Sequence, residues 1–169
     1  VINEEKNELR RYQDKALMLI GFAGGFRRSE LVALEYDDID FVNEGVKIVI
    51  KKSKTDQTGV GMTKAIPYFE NNNYCPVISL KEWINLSKIE DGKIFNISDK
   101  SVALKIKKYA LLAGLEYKKY SGHSLRSGFA TSTAEIGADE RSIMAMTGHK
   151  TTQMVRRYIQ EANLFKNNA

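Results

Sequence analysis

The chain reads as a mainly α domain with one small antiparallel β-sheet, an α+β fold, and three observations predict it. Apolar residues recur at helical spacing in several segments, most of them closed by glycine. Two short runs instead alternate with period two, on either side of a glycine-bearing stretch. At 169 residues, 43% apolar and 28% charged, the chain can bury a core and has ordinary globular composition.

Residues 13–25 set Ala16, Leu17, Leu19, Ile20 and Ala23 on or near one helical face, and Gly24-Gly25 breaks the helix. A short helix follows over 28–34. Gly45 then changes the period: Val46, Ile48 and Ile50 alternate along a strand over 46–52. Residues 64–69 are its partner, at a sheet edge because Pro67 cannot donate to a ladder. Between them, 53–63 carries Gly59 and Gly61 and reads as a long, mobile hairpin loop. After Pro76 the chain is mostly helical, over 77–86, 101–113, 123–136, 139–146 and 152–162, with Gly114, Gly137 and Gly148 as stops. A polar tail with Leu164 and Phe165 closes it. No internal repeat interrupts this single domain, 1–169.

The net charge of +5 lies on the side expected of a nucleic-acid-binding domain. Cys75 is the only cysteine, which excludes an internal disulfide and a cysteine metal cluster, and its polar turn suits a structural rather than a catalytic thiol. No stretch is long and apolar enough to span a bilayer, and no signal peptide opens the chain, so a reducing cytoplasm is expected.

Three short strings carry chemistry: Gly-Gly-Phe-Arg-Arg-Ser-Glu-Leu at 24–31, His-Ser-Leu-Arg-Ser-Gly at 123–128, and Thr-Gly-His at 147–149, with Tyr158 nine residues beyond that histidine. The chain has two histidines, and both lie in these strings. His123 and Arg126 share a helical face, where a histidine exchanges a proton and an arginine grips one phosphate with two donors. Arg27 and Arg28 follow a glycine pair that turns sharply, with Glu30 placed to hold one guanidinium. On one unbroken helix, nine residues turn through about 900°, which sets His149 and Tyr158 on opposite sides. Gly148 and an N-cap at Thr151 or Thr152 supply the break that lets both face one phosphate. Lys51, Lys52, Lys54 and Lys64 lie on or beside the hairpin, as a solvated, phosphate-attracting face. Taken singly, each string is better read as an ordinary surface pair or a half-buried aromatic.

In combination and order, the strings resemble the catalytic domain of the tyrosine recombinases, or phage integrase family. That family shows G-[apolar]-R-x-S-E-L, a hairpin lysine, H-x-[apolar]-R, then G-H and a tyrosine nine residues on. The resemblance implies that Arg27, Lys54, His123, Arg126, His149 and Tyr158 are catalytic, with Arg28 in a variable place and Glu30 a supporting acid. Ser53-Lys54-Thr55 matches the family lysine better than Lys52. Two positions depart from the family pattern: Gly24 stands where Thr is frequent and Thr147 where Leu is. Neither carries a proposed catalytic atom.

The implied mechanism needs neither metal nor cofactor nor ATP. Tyr158 attacks a scissile phosphate and forms a 3′-phosphotyrosine, and Lys54 gives a proton to the departing 5′-oxygen. A free tyrosine has a pKa of about 10 and needs a base or cations to attack at neutral pH. His123 is the candidate proton acceptor, while Arg27, Arg126 and His149 stabilise charge on the phosphoryl oxygens. The resemblance also implies double-stranded DNA at recombination sites as partner, with Arg28, Lys51, Lys52 and Lys64 contacting it. It further implies a homo-oligomer, a tetramer, on that DNA; a DNA-clamping domain before this chain; and a 163–169 tail that docks in trans or frays. Two other readings stay open: a type IB topoisomerase, and a DNA-binding accessory module that does not cut.

Overall fold

The computed structural model describes residues 1–51, 61–149 and 151–163. Lys52 and Lys54, the 53–60 part of the expected hairpin loop, and Leu164 and Phe165 lie outside them. Among the described residues there are seven α-helices and one three-stranded antiparallel sheet, the mainly α architecture that the sequence predicts.

Helix α1 spans Glu8–Ala23, five residues longer at its start than the apolar spacing suggests, because Asn7 caps it and accepts from the Arg10 amide at 2.9 Å. It buries Ala16, Leu17 and Ile20 against α3 (Pro76–Ser87). Full burial of each Leu or Ile is worth about 1.5–3 kcal/mol. Gly24 closes α1, and Gly25 takes φ +56°, where a Cβ would meet the Phe129 ring at 2.9 Å. That turn delivers Arg27 to the N-cap of α2 (Arg28–Ala33).

Strands β1 (Ile39–Val42), β2 (Gly45–Ile50) and β3 (Met62–Pro67) stand in that order, with Pro67 at the end of an edge strand. Strand β1 is an addition to the sequence reading: four residues flanked by acids and a turn are too short to show a period. The register pairs Val46 with Ile66 and Ile48 with Lys64. All four side chains are buried. Cys75 is buried too, its Sγ accepting from the Phe69 amide at 3.4 Å.

Two apolar clusters result. The larger joins α1, α2, the sheet, α3 and α4 (Asp99–Leu112). The smaller is Ala130, Ala134, Ile143 and Val155, shared by α5 (Ser124–Glu135), α6 (Glu140–Thr147) and α7 (Thr152–Asn163). Buried cations bridge the Gly24-Gly25 turn, beside the first cluster, to the end of α6 in the second.

Candidate active site

The last turn of α6 organises the site. A helix end leaves carbonyls without intrahelical donors and carries the negative pole of the backbone dipole. Here three such oxygens each receive a cation. Lys64 Nζ donates to Met146 O, Arg126 Nη1 to Thr147 O, and Arg27 Nη2 approaches Gly148 O at 3.5 Å. Gly148 ends the helix in the left-handed conformation at φ +66°. With α6 ended there and α7 starting only at Thr152, His149 and Tyr158 do not share one unbroken helix, as their spacing requires.

Arg27 is fixed by Glu30, whose carboxylate accepts from Arg27 Nη1 at 2.6 Å and from the Arg27 amide at 2.8 Å. Glu30 is nearly buried, and the Arg27 side chain as a whole is 42% exposed. Arg126 is 5% exposed. Its Nη1 also donates to Gly25 O at 3.1 Å, whereas Nη2 is buried with no hydrogen-bond partner among the described residues. Burial, then the neighbouring Arg27, push Arg126 down to about 10, against the pull of Glu30 and Tyr158. It stays charged at neutral pH.

His149 is 8% exposed, and its Nδ1 lies 2.8 Å from Thr147 Oγ1. The single hydroxyl proton of Thr147 goes to Ile143 O at 2.7 Å. Nδ1 must therefore be the donor, which leaves the lone pair of the neutral ring on Nε2. Burial, then Arg126, Arg27 and Lys64, push His149 down to about 4, so the ring is neutral at pH 7. Tyr158, half-buried on α7, sets its ring centroid 6.0 Å from that of His149.

The structure thus brings Arg27, Glu30, Arg126, His149 and Tyr158 together. His123 is the N-cap of α5, one turn before Arg126; its ring is exposed and makes no capping hydrogen bond. The lysine expectations change. Lys64 does not lie on a solvated face: strand alternation turns it inward with Ile66, and it is fully buried. Lys51 is exposed but holds Glu35 and, at 3.1 Å, Asp38. Arg28 pairs with Asp99 at 3.3 Å, and its stem lies over Gly122.

The two departures from the family pattern also adjoin the machinery. Thr147 orients His149, and the Gly24 carbonyl accepts from Lys64 at 2.6 Å. The period-two pairing of Lys64 with Ile66 was the available signal for its burial. No residue type announces the backbone carbonyls.

The model of the phage integrase family matches residues 1–164. The chain belongs to that family. An integrase/recombinase xerD homolog of Selenomonas ruminantium is 47% identical over 181 residues, covering 100% of this chain and 52% of that protein. The tyrosine recombinase XerD of Haemophilus ducreyi is 29% identical over 145 residues, covering 84% and 49%. The chain therefore spans about half the length of these curated relatives. Among solved structures, XerH site-specific recombinase bound to its difH substrate superposes with a TM-score of 0.76 at 20% identity, over 98% of this chain and 49% of that one. The Tn1549 transposon integrase in complex with a circular intermediate DNA gives 0.68 at 19%, over 93% and 56%. At such identities these two likenesses establish the shared fold. Among the described residues, no helix is long and apolar enough to cross a membrane.

Proposed function

We propose that this integrase-family domain breaks and rejoins DNA strands at specific sites, with Tyr158 as nucleophile. One observation carries the reading: the buried Nη2 of Arg126, unpartnered among the described residues, stands in a cluster with the partly exposed Arg27 side chain, His149 and Tyr158. An unpaired buried N–H is costly, and an anionic oxygen is the partner that offsets the cost best. A phosphodiester brings such oxygens.

In the reaction, the Tyr158 oxygen bonds to phosphorus as the bond from phosphorus to the 5′-oxygen breaks. Arg27 and Arg126 stabilise the charge that gathers on the two non-bridging oxygens. Lys54 protonates the leaving 5′-oxygen. The 3′-phosphotyrosine keeps the ester's energy, so the 5′-hydroxyl of another strand reverses the step without ATP. His123 is one acceptor for the Tyr158 proton. His149 stands beside Tyr158 with its lone pair on Nε2, but the burial and cations that hold the ring at about 4 also make it a weak base, so His123 is the preferred acceptor.

By kinship with recombinases that act on DNA, the partner is double-stranded DNA, engaged as a tetramer in the cytoplasm, in mobile-element integration or replicon resolution. The domain reading is of one catalytic unit, with DNA clamping supplied by a further domain and the tail docking in trans.

The test mixes the protein with nicked duplexes carrying its site and looks for a protein–DNA adduct that survives SDS. Wild type should form it, and Tyr158→Phe should form none while binding DNA equally. An adduct in Tyr158→Phe reassigns the nucleophile; tight binding without an adduct in either protein favours the non-cutting module. Relaxation of supercoils at any sequence, with no site requirement, favours the topoisomerase reading.

A further inference from the structure

Lys64 lies at the centre of the site, yet the reaction just outlined gives it no task. Its ammonium spans Gly24 O at 2.6 Å and Met146 O. Arg126 spans the next carbonyl on each side, Gly25 O at 3.1 Å and Thr147 O. Two cations thus form parallel rungs between the same two backbone segments. One segment leads within two residues to Arg27, the other to His149.

From these rungs we infer that Lys64 is a positioning residue for strand transfer, clamping the Gly24-Gly25 turn to the last turn of α6 so that Arg27 and His149 keep their places. The inference rests on Tyr158 being the nucleophile that those two groups serve.

Several features fit a clamp. Lys64 projects from β3 opposite Ile48, so the sheet fixes its stem. Its ammonium also lies 4.8 Å from the centre of the buried Phe26 ring. Among the described residues no carboxylate binds it directly; Glu30 is a more distant attraction, opposed by Arg126 and Arg27. Being fully buried, it cannot touch DNA without rearrangement, whereas Arg126 keeps an Nη2 unpartnered among the described residues and the Arg27 side chain is 42% exposed. An apolar replacement would leave two buried carbonyls without a donor.

The clamp has a pH signature. Burial pushes the ammonium down to about 8, with Arg126 and Arg27 acting the same way and Glu30 against them. His149 is the remaining titratable neighbour, and it is neutral throughout this range. Above that pH the rung loses its charge, and transfer should fall along an alkaline limb. Arginine at this position would remain charged and remove the limb.

Adduct formation on nicked duplexes is to be followed from about pH 6 to about pH 10, bracketing the lysine titration, for wild type, Lys64→Met and Lys64→Arg. Amide exchange at Gly25, Phe26, Gly148 and His149 is followed alongside. Lys64→Met should form the adduct about 10- to 100-fold more slowly at neutral pH, with DNA affinity within about 2-fold and faster exchange at those amides. Lys64→Arg should keep the neutral rate and lose the alkaline limb.

Wild-type rates and protection in Lys64→Met overturn the inference. So does rescue of that variant by a 5′-thiol leaving group, which makes Lys64 the proton donor. If Lys64→Met does not fold, an identical alkaline limb in wild type and Lys64→Arg overturns it. If wild type itself forms no adduct, the nucleophile reading fails, and amide exchange still judges the clamp.

Discussion

Acid should loosen this domain through one ring. His149 sits at about 4 in the folded chain against an ordinary 6.5, because the ring is buried among Arg126, Arg27 and Lys64. Between those values the unfolded chain takes up a proton that the folded chain refuses, so stability falls as pH falls. The loss begins near pH 6.5 and is complete below about pH 4. At about 1.36 kcal/mol per pKa unit, the interval amounts to about 3 kcal/mol as an upper figure. Urea unfolding of wild type and His149→Asn, each from about pH 7 to about pH 4, isolates the term. The asparagine amide can still donate to Thr147 Oγ1 but takes up no proton in that range. Wild type should lose up to about 3 kcal/mol more than the variant. A phosphate seated beside the ring should reverse the preference. Binding of duplex DNA near pH 5 should then be accompanied by proton uptake in wild type and not in the variant, as calorimetry in buffers of different ionisation heat would measure. Parallel stability curves would refute the buried-neutral assignment. Equal proton uptake would remove His149 from the phosphate's neighbourhood.

Arg126→Lys should lower adduct formation by about 10²- to 10³-fold with DNA affinity little changed, because an ammonium cannot hold two carbonyls and present a further planar donor; near-normal cleavage would sink that role. Thr147→Val keeps the shape but removes the acceptor for His149 Nδ1, so adduct formation should fall about 10-fold. Imidazole nitrogen shifts should report mixed tautomers in that variant, and Thr147→Ser should restore both; an unchanged tautomer in Thr147→Val means that the hydroxyl does not set it. A substrate with a 5′-thiol leaving group should rescue Lys54→Ala, whereas rescue of Lys52→Ala moves the acid role there.

Helices and the residues that cluster at the end of α6 were legible in the sequence for different reasons. Glycines at 25, 114, 137 and 148 mark helix ends because each takes a left-handed conformation that few other residues adopt. Arg27, Arg126, His149 and Tyr158 stand in strings whose spacing survives folding. Lys64 misled because lysines usually belong to solvated faces, and the strand period that turned it inward was outweighed by its charge. Strand β1 was hidden by its brevity. Thr147 was read as a harmless departure because its contribution is a hydroxyl proton spent on Ile143 O, a fact of packing rather than of residue type.

Among the described groups that converge on the end of α6, Arg27, Lys64 and Arg126 are cationic and Glu30 alone is anionic. Carbonyl oxygens orient a cation with partial charge only, so they hold these side chains still while cancelling little of their field. Acidic anchors would have gripped as firmly, but an incoming phosphate would have had to compete with each of them. By resting Lys64 and Arg126 on backbone dipoles, the fold can keep its positive groups both rigid and electrostatically unspent until an anion arrives.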